Sequence, residues 1–333
     1  VLDPGEIPPA GSTVDNAGDR APVRELTVPT RPGVRFAAED PVAGLPDWKL
    51  PQSYDPPPFR REPNARERRV GFSRIETGLN STEARILVAL DDVLDREHDR
   101  VLRQLSGIVR KGTPAEVLAA LGTLEIKGGP DVVRSWSELM DDVGAIAVDA
   151  LRGELAAYAD AIKDLGPESR ALFKAYATTS AERVISGLVT ETRLQLLNAY
   201  TSGVSRAGMA SIVGQIFDAY QGSEGKPMRL TTRMLSAKSL NHSRAAAVER
   251  AGIPLAGAQY SALLDRRTCD LCEELDERVI AIEHTDLSRF TPPVHHNCRC
   301  VWVWITRDEA DFTPTWSTPA SSKVDRFGGL VLG

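Results

Sequence analysis

Apolar positions return along this chain with two different periods, and the change from one to the other divides it. From Asn80 to about Lys111, residues such as Ile86, Leu90, Val93, Leu94, Val101, Leu105 and Ile108 recur at steps of three and four, the spacing of one face of an α-helix. Asn80 with Glu83 three residues on predicts the N-terminal cap of that helix and its reciprocal acid. Thr113-Pro114-Ala115-Glu116 carries the same cap logic with proline at the first helical position, so a short helix is expected up to Gly122. Beyond the break at Gly128-Gly129-Pro130, Val132, Trp136, Leu139, Met140, Val143 and Leu151 predict a helix over about 131–165. Gly166-Pro167 ends it and opens another to about Ala199, with Leu172, Phe173, Tyr176, Val184, Leu188, Leu194 and Leu197 inward.

A turn at 201–205 leads to two more helices, over about 206–220 and 226–251. The second has a basic face of Arg229, Arg233, Lys238, Arg244 and Arg250, read as solvated, as charged faces usually are. Helices with single apolar stripes need antiparallel neighbours to cover them, so a bundle follows.

The period changes after Ala258. Residues 259–264, 278–282 and 301–305 are short runs rich in β-branched and aromatic side chains, the last reading Val-Trp-Val-Trp-Ile, and they predict three strands. So small a sheet is marginal unless something covers or clips it. The expected fold class is therefore α+β, mainly α. An extended N-terminal arm spans 1–77, a helical bundle 78–200, a domain 201–310 containing a small three-stranded module at 258–305, and an extended tail 311–333.

Composition changes this picture mainly at the ends. More than half of the 22 prolines lie at or before Pro63, where fixed φ and missing donors prevent helices and central strands. The arm is thus expected to be an extended tether ordered by a partner. It ends in FRREPNARERRVGFSR, a basic cluster in a chain of net charge −6. Arg60, Arg61, Arg66, Arg68 and Arg69 are its candidate partner-binding residues. The chain starts with Val1 and shows no signal-peptide pattern, as expected of a processed product or the tail of a longer one. No apolar run reaches the roughly 18 residues of a membrane span.

All 4 cysteines fall within the third region: Cys269 and Cys272 in a CxxC, Cys298 and Cys300 in a CxC, with His295 and His296 just before the latter. A CxxC turn aims two sulfurs at one point, and a second ligand pair 26 residues on would close a tetrahedron, which suits zinc. Cys269, Cys272, His295, Cys298 and Cys300 are the candidate ligands, with the choice of four among the five left open. One or two disulfides and plain thiols are the alternatives.

LDRRTCDLCEELD followed by PPVHHNCRCVWVW resembles the signature of phage head morphogenesis proteins of the Mu F type. That signature opens with Asp-x-Arg-Thr-Cys-x-x-Cys and closes with His-x-Asn-Cys-Arg-Cys. Here Asp265, Arg267, Thr268, Cys269 and Cys272 match the opening; His295, Asn297, Cys298, Arg299 and Cys300 match the close. The resemblance runs from roughly Thr201 to Ile305, with one departure: the family usually has glycine after Leu-Asp, where this chain has Glu277.

The resemblance implies a structural minor capsid protein of a tailed bacteriophage. Such a protein would sit at the portal vertex inside the virion capsid after assembly in the host cytoplasm. Portal protein and other head proteins would be its partners, with room for contact with packaged DNA, and it would have no membrane role. Two other readings compete. A nucleic-acid-binding zinc module would use Arg266, Arg267 and Arg299 on phosphate, against the acidic overall charge. A zinc hydrolase or nuclease would need an open coordination position and a base, for which Asp265, Glu273, Glu274 or His296 could serve. No histidine follows His296, so an HNH-type constellation cannot be completed. The ligand set looks complete without a nucleophile–base pair, and no enzymatic activity is expected.

Overall fold

The structure is a computed structural model and describes residues 59–111, 113–221, 226–264, 268–295, 298–309 and 312–318. The expected arm enters this description only from Phe59 and the expected tail only over 312–318; the rest of both lies outside the described residues. The fold is mainly helical with one small antiparallel sheet near the C-terminus.

A four-residue turn of helix, α1 (Glu67–Val70), ends at Gly71, whose φ of 67° only glycine adopts without strain. The chain then starts α2 (Phe72–Lys111). Asn80 and Glu83 therefore lie inside α2 and do not cap it. The earlier start was legible, because Phe72, Ile75 and Leu79 are buried at helical spacing. The arginines around them mask the stripe.

The short helix α3 (Pro114–Gly122) has the expected capping box: the Thr113 hydroxyl accepts from the Glu116 N–H, and the Glu116 carboxylate accepts from the Thr113 N–H at 2.7 Å. Helix α4 (Gly129–Glu154) stops well short of the expected 165. A 3-10 turn at Ala156–Tyr158 redirects the chain so that Leu155 and Ile162 enter the core beside the sheet. The bundle is completed by α5 (Pro167–Thr201), α6 (Arg206–Asp218) and α7 (Lys226–Ala251). In the last turns of α5 the buried leucine is Leu196, while Leu194 is 54% exposed, contrary to its expected inward place.

Helix α4 is central, packing on α2, α5 and α7. Polar side chains pin it to α7: the Trp136 indole N–H donates to Thr232 Oγ1 at 3.0 Å, and the Ser239 hydroxyl donates to the Met140 carbonyl.

The basic face expected on α7 is not a uniform solvated face. Arg244 is 1% exposed and pairs with Glu154, itself fully buried, while also donating to the Trp302 carbonyl at 3.1 Å. Lys238 lies over the Tyr176 ring, 4.7 Å from its centroid.

The sheet consists of β1 (Leu255–Ser261), β2 (Val279–Ala281) and β3 (Val301–Thr306) in the order β2-β1-β3, antiparallel throughout. Tyr260 faces Trp302 across β1 and β3, and Gln259 faces Val279 across β1 and β2. Every residue of β3 is buried. Val301 and Val303 join the core of the bundle, whereas Trp302 and Trp304 join a second core beside the cysteines. The period-two alternation therefore separates two apolar environments rather than core from water.

Both sheet edges are closed. Along β3, the N–H groups of Trp302, Trp304 and Thr306 donate to Asn241, Glu154 and Glu309 side chains. Along β2, the N–H groups of Thr315 and Trp316 both reach the Val279 carbonyl at 2.9 Å. Such cover blocks pairing with a stray strand. At Gly257 a Cβ would strike the Ile280 carbonyl and lie 2.6 Å from the Phe312 ring. Glycine is the residue that lets β2 and the 312–318 segment close on β1.

Candidate metal centre

The CxxC segment forms the start of α8 (Asp270–Leu275), with Cys269 as its N-cap and the Cys269 sulfur accepting from the Cys272 N–H at 3.5 Å. The chain returns through α9 (Asp286–Arg289), and His295, Cys298 and Cys300 then precede β3. Two ligand groups result, Cys269–Cys272–His295 and Cys272–Cys298–Cys300, with donor atoms in each within 4.8 Å of one another. Cys272 is common to both. Its sulfur lies 3.0 Å from His295 Nε2 and 3.9 Å from the Cys298 sulfur.

These residues fit a tetrahedral, sulfur-rich metal. Zinc–sulfur bonds of about 2.3 Å place two sulfurs of one tetrahedron roughly 3.8 Å apart, close to the Cys272–Cys298 separation. No disulfide joins any of the four cysteines. Cys272, Cys298 and Cys300 are fully buried, and Cys269 is half-buried.

Without a metal the cluster sorts its protons. A hydrogen bond from the Cys272 thiol, helped by backbone N–H groups and the His295 charge, lowers Cys269 to about 5 against the opposing effect of burial. Cys272 is the corresponding donor, and its hydrogen bonds to Cys269, Cys298 and Cys300, together with burial, push it up. Burial works against ionisation of Cys298, but hydrogen bonds from Cys272, Cys300 and His295 outweigh it and hold it low. The Tyr260 hydroxyl, 3.5 Å from Cys272 and 3.9 Å from Cys298, is driven well up by burial and the neighbouring sulfurs. It sets a neutral O–H between the Cys272 thiol and the Cys298 sulfur, which is held low, the outer-shell contact that thiolate ligands take.

The surrounding chain holds the ligand turns in place. Asn241 of α7 donates to the Cys300 carbonyl at 3.0 Å. Arg299, between the two cysteines of the CxC, reaches Asn80 at 2.9 Å and both Glu83 oxygens at 3.1 Å on α2. The Asn-x-x-Glu pattern that resembles a cap is thus the seat of Arg299. Arg299, named from sequence as a phosphate contact of a nucleic-acid module, is engaged in this ion pair with its side chain 14% exposed. Asp265, Arg266, Arg267, His296 and Asn297 lie outside the described residues.

The basic cluster before α2 meets acids of its own chain. Arg60 donates to Asp276 at 2.7 Å and Glu273 at 3.0 Å. Arg61 donates to Glu67 at 2.6 Å and Asp276 at 2.8 Å, and these acids raise its already high pKa although burial opposes them. Arg66 and Arg69 reach Glu309, and Arg68 donates to the Pro63 carbonyl. Glu273, a candidate base from sequence, is 66% exposed and paired with Arg60. Sequence reasoning missed Glu67 and Asp276, buried acids that nothing in local periodicity distinguishes from surface acids. Their signal was the excess of arginine just upstream, which has to be answered somewhere.

Residues 191–303 match the family model described as Phage Mu protein F like protein, roughly a third of the chain. No curated protein and no solved structure gives a significant match. The matched residues run from the end of α5 through α6, α7 and the sheet to β3, and so contain every candidate ligand.

Proposed function

Because residues 191–303 are phage Mu F-like, we propose that this chain is a structural minor head protein of a tailed bacteriophage, held at the portal vertex inside the capsid and acting in head assembly. The observation that carries the reading is that the family-matching segment folds around one buried, thiol-rich ligand cluster whose turns are tied directly into the bundle. Among the described residues no helix is long and apolar enough to cross a membrane.

Zinc is the metal we propose for the cluster; bound there, it supplies a structural cross-link between the CxxC turn and the CxC strand lead-in. The protein's own residues do the rest. Cys272 anchors both ligand groups, the Tyr260 hydroxyl lies against the Cys272 and Cys298 sulfurs, Asn241 fixes the Cys300 backbone, and Arg299 fastens the CxC to α2. With ligand sulfurs at 0% exposure for three of four cysteines, the site serves to hold the module together rather than to turn over substrate. The N-terminal arm, which is rich in proline, would supply the contacts to portal and other head proteins.

Two measurements test this reading. Purified protein is expected to carry about one zinc per chain, and a chain lacking residues 1–59 is expected to fold and bind zinc but to be left out of assembled heads. Normal incorporation of that truncated chain would overturn the tethering role of the arm. Metal-dependent cleavage of DNA or peptide, lost in Glu273→Gln, would overturn the structural reading of the site.

A further inference from the structure

We propose that the metal-binding turn doubles as the latch for the root of the N-terminal arm, so that the state of the cluster governs whether residues 59–70 stay docked. The inference rests on the metal reading above and adds to it a coupling between two parts of the chain more than 200 positions apart.

The coupling can be followed bond by bond. Glu273 and Asp276 are the acids that hold Arg60, and their backbone N–H groups bond to the carbonyls of the two CxxC cysteines: Glu273 to Cys269 at 2.9 Å, and Asp276 to Cys272 at 3.0 Å. These acids therefore stand where they do only while the α8 turn is intact. At six residues α8 is far too short to persist alone. Its N-cap is the Cys269 sulfur, and its other fixed point is Cys272, the residue common to both ligand groups.

On the other side, Asp276 is the hub of a nearly dry polar network. Its side chain is 7% exposed and accepts from Arg60, from Arg61 and from the Ala262 N–H at 2.8 Å. Arg61 in turn spans Asp276 and the fully buried Glu67, which also accepts from Ser261 of β1 at 2.6 Å and from the Asn64 N–H at 2.9 Å. Removing one member of such a network leaves uncompensated charge in a low-dielectric site, which costs far more than losing a surface ion pair. The arm root is consequently either docked as a unit or released as a unit. Outside this network, Asn64 reaches Glu277, Arg66 and Arg69 reach Glu309, and Phe59 and Val70 pack against the bundle core; these apolar contacts pin the two ends of the segment, and the polar network holds residues 60–67 between them.

Hydrogen–deuterium exchange on the full chain, read by mass spectrometry over peptides covering 59–70, 269–300 and α4, tests the latch. Three samples are compared: zinc-loaded protein, the same protein stripped with a chelator, and zinc-loaded Asp276→Asn. Stripping is expected to speed exchange in both 59–70 and 269–300, by roughly two orders of magnitude in the opened fraction of the arm root, with α4 unchanged. Asp276→Asn is expected to free 59–70 while retaining zinc at wild-type stoichiometry.

If stripping loosens 269–300 but leaves 59–70 protected, the coupling is wrong although the metal site stands. If Asp276→Asn leaves 59–70 protected, the network is not the latch. If the purified protein holds no zinc and takes none up, the metal reading and the metal control fall together, while Asp276→Asn still decides whether Asp276 is the hub.

Discussion

The buried pair between Glu154 at the end of α4 and Arg244 on α7 joins bundle and sheet at one point, and its removal should be among the costliest single changes in the chain. Glu154 takes the Arg244 guanidinium and also the Trp304 N–H of β3 at 2.8 Å, with both charged side chains 0–1% exposed. Glu154→Ala would leave a guanidinium buried without its counter-charge, a defect of about 3–5 kcal/mol. It would also orphan the Trp304 N–H, worth about 1–3 kcal/mol. The two losses share a partner and will not add fully, so about 4 kcal/mol is expected. Replacing both residues, Glu154→Leu with Arg244→Met, removes the stranded charge and keeps much of the volume. The remaining defects are the Trp304 N–H and the Trp302 carbonyl, and the double variant should recover about 2 kcal/mol relative to Glu154→Ala. Urea unfolding, followed by circular dichroism and by tryptophan emission, reads both values. With a slope of about 3 kcal/mol per molar, the single variant should lower the midpoint by more than about 1 M. A cost below about 1 kcal/mol for Glu154→Ala, or a double variant no more stable than the single, would refute the claim that an ion pair without solvent access closes this junction.

Other expectations follow from single sites. Glu277 holds a φ of 65°, in the left-handed region that favours glycine, so Glu277→Gly should relieve left-handed strain and raise stability by up to about 1 kcal/mol; a lowered melting temperature would count against it. Gly257→Ala should cost several kcal/mol, roughly in the range of overpacked cores, and release the 312–318 segment, which limited proteolysis after Phe312 can follow. Although burial opposes it, hydrogen bonds from the Trp316 indole at 3.0 Å and the Thr318 hydroxyl at 2.7 Å hold the Asp286 carboxyl below its usual range. A depressed folded value means the stabilisation is complete above the unfolded carboxylate pKa of about 3.9 and fades as pH falls through the folded one. Docking of Trp316 should therefore be constant from pH 5 to 8, weaken below about pH 4, and lose that acid step in Asp286→Asn, as reported by Trp316 emission.

What the sequence determined by itself is whatever local spacing and residue chemistry decide. The long apolar stripes mark α2, α4 and α5, the Thr113–Glu116 box places α3, and the β-branched runs mark three strands, the first lying at 255–261 rather than 259–264, because helical and extended periodicities are properties of the chain within a few residues. The clustered thiols and imidazole likewise mark a candidate ligand site, four cysteines within 32 positions whose donor atoms the fold brings together. Tertiary structure alone decided the fate of the charges. Asn80 and Glu83 have the local form of a cap but accept Arg299 from 216 or more positions away. Arg244 looks like one more member of a solvated basic face yet is buried against Glu154. Arg60 and Arg61 read locally as a basic patch, and the acids they meet come from the α8 turn that bears the cysteines, Glu273 and Asp276, and from Glu67 of α1. An ionised side chain carries no period, and whether it faces water or a counter-charge depends on which distant segment is folded beside it.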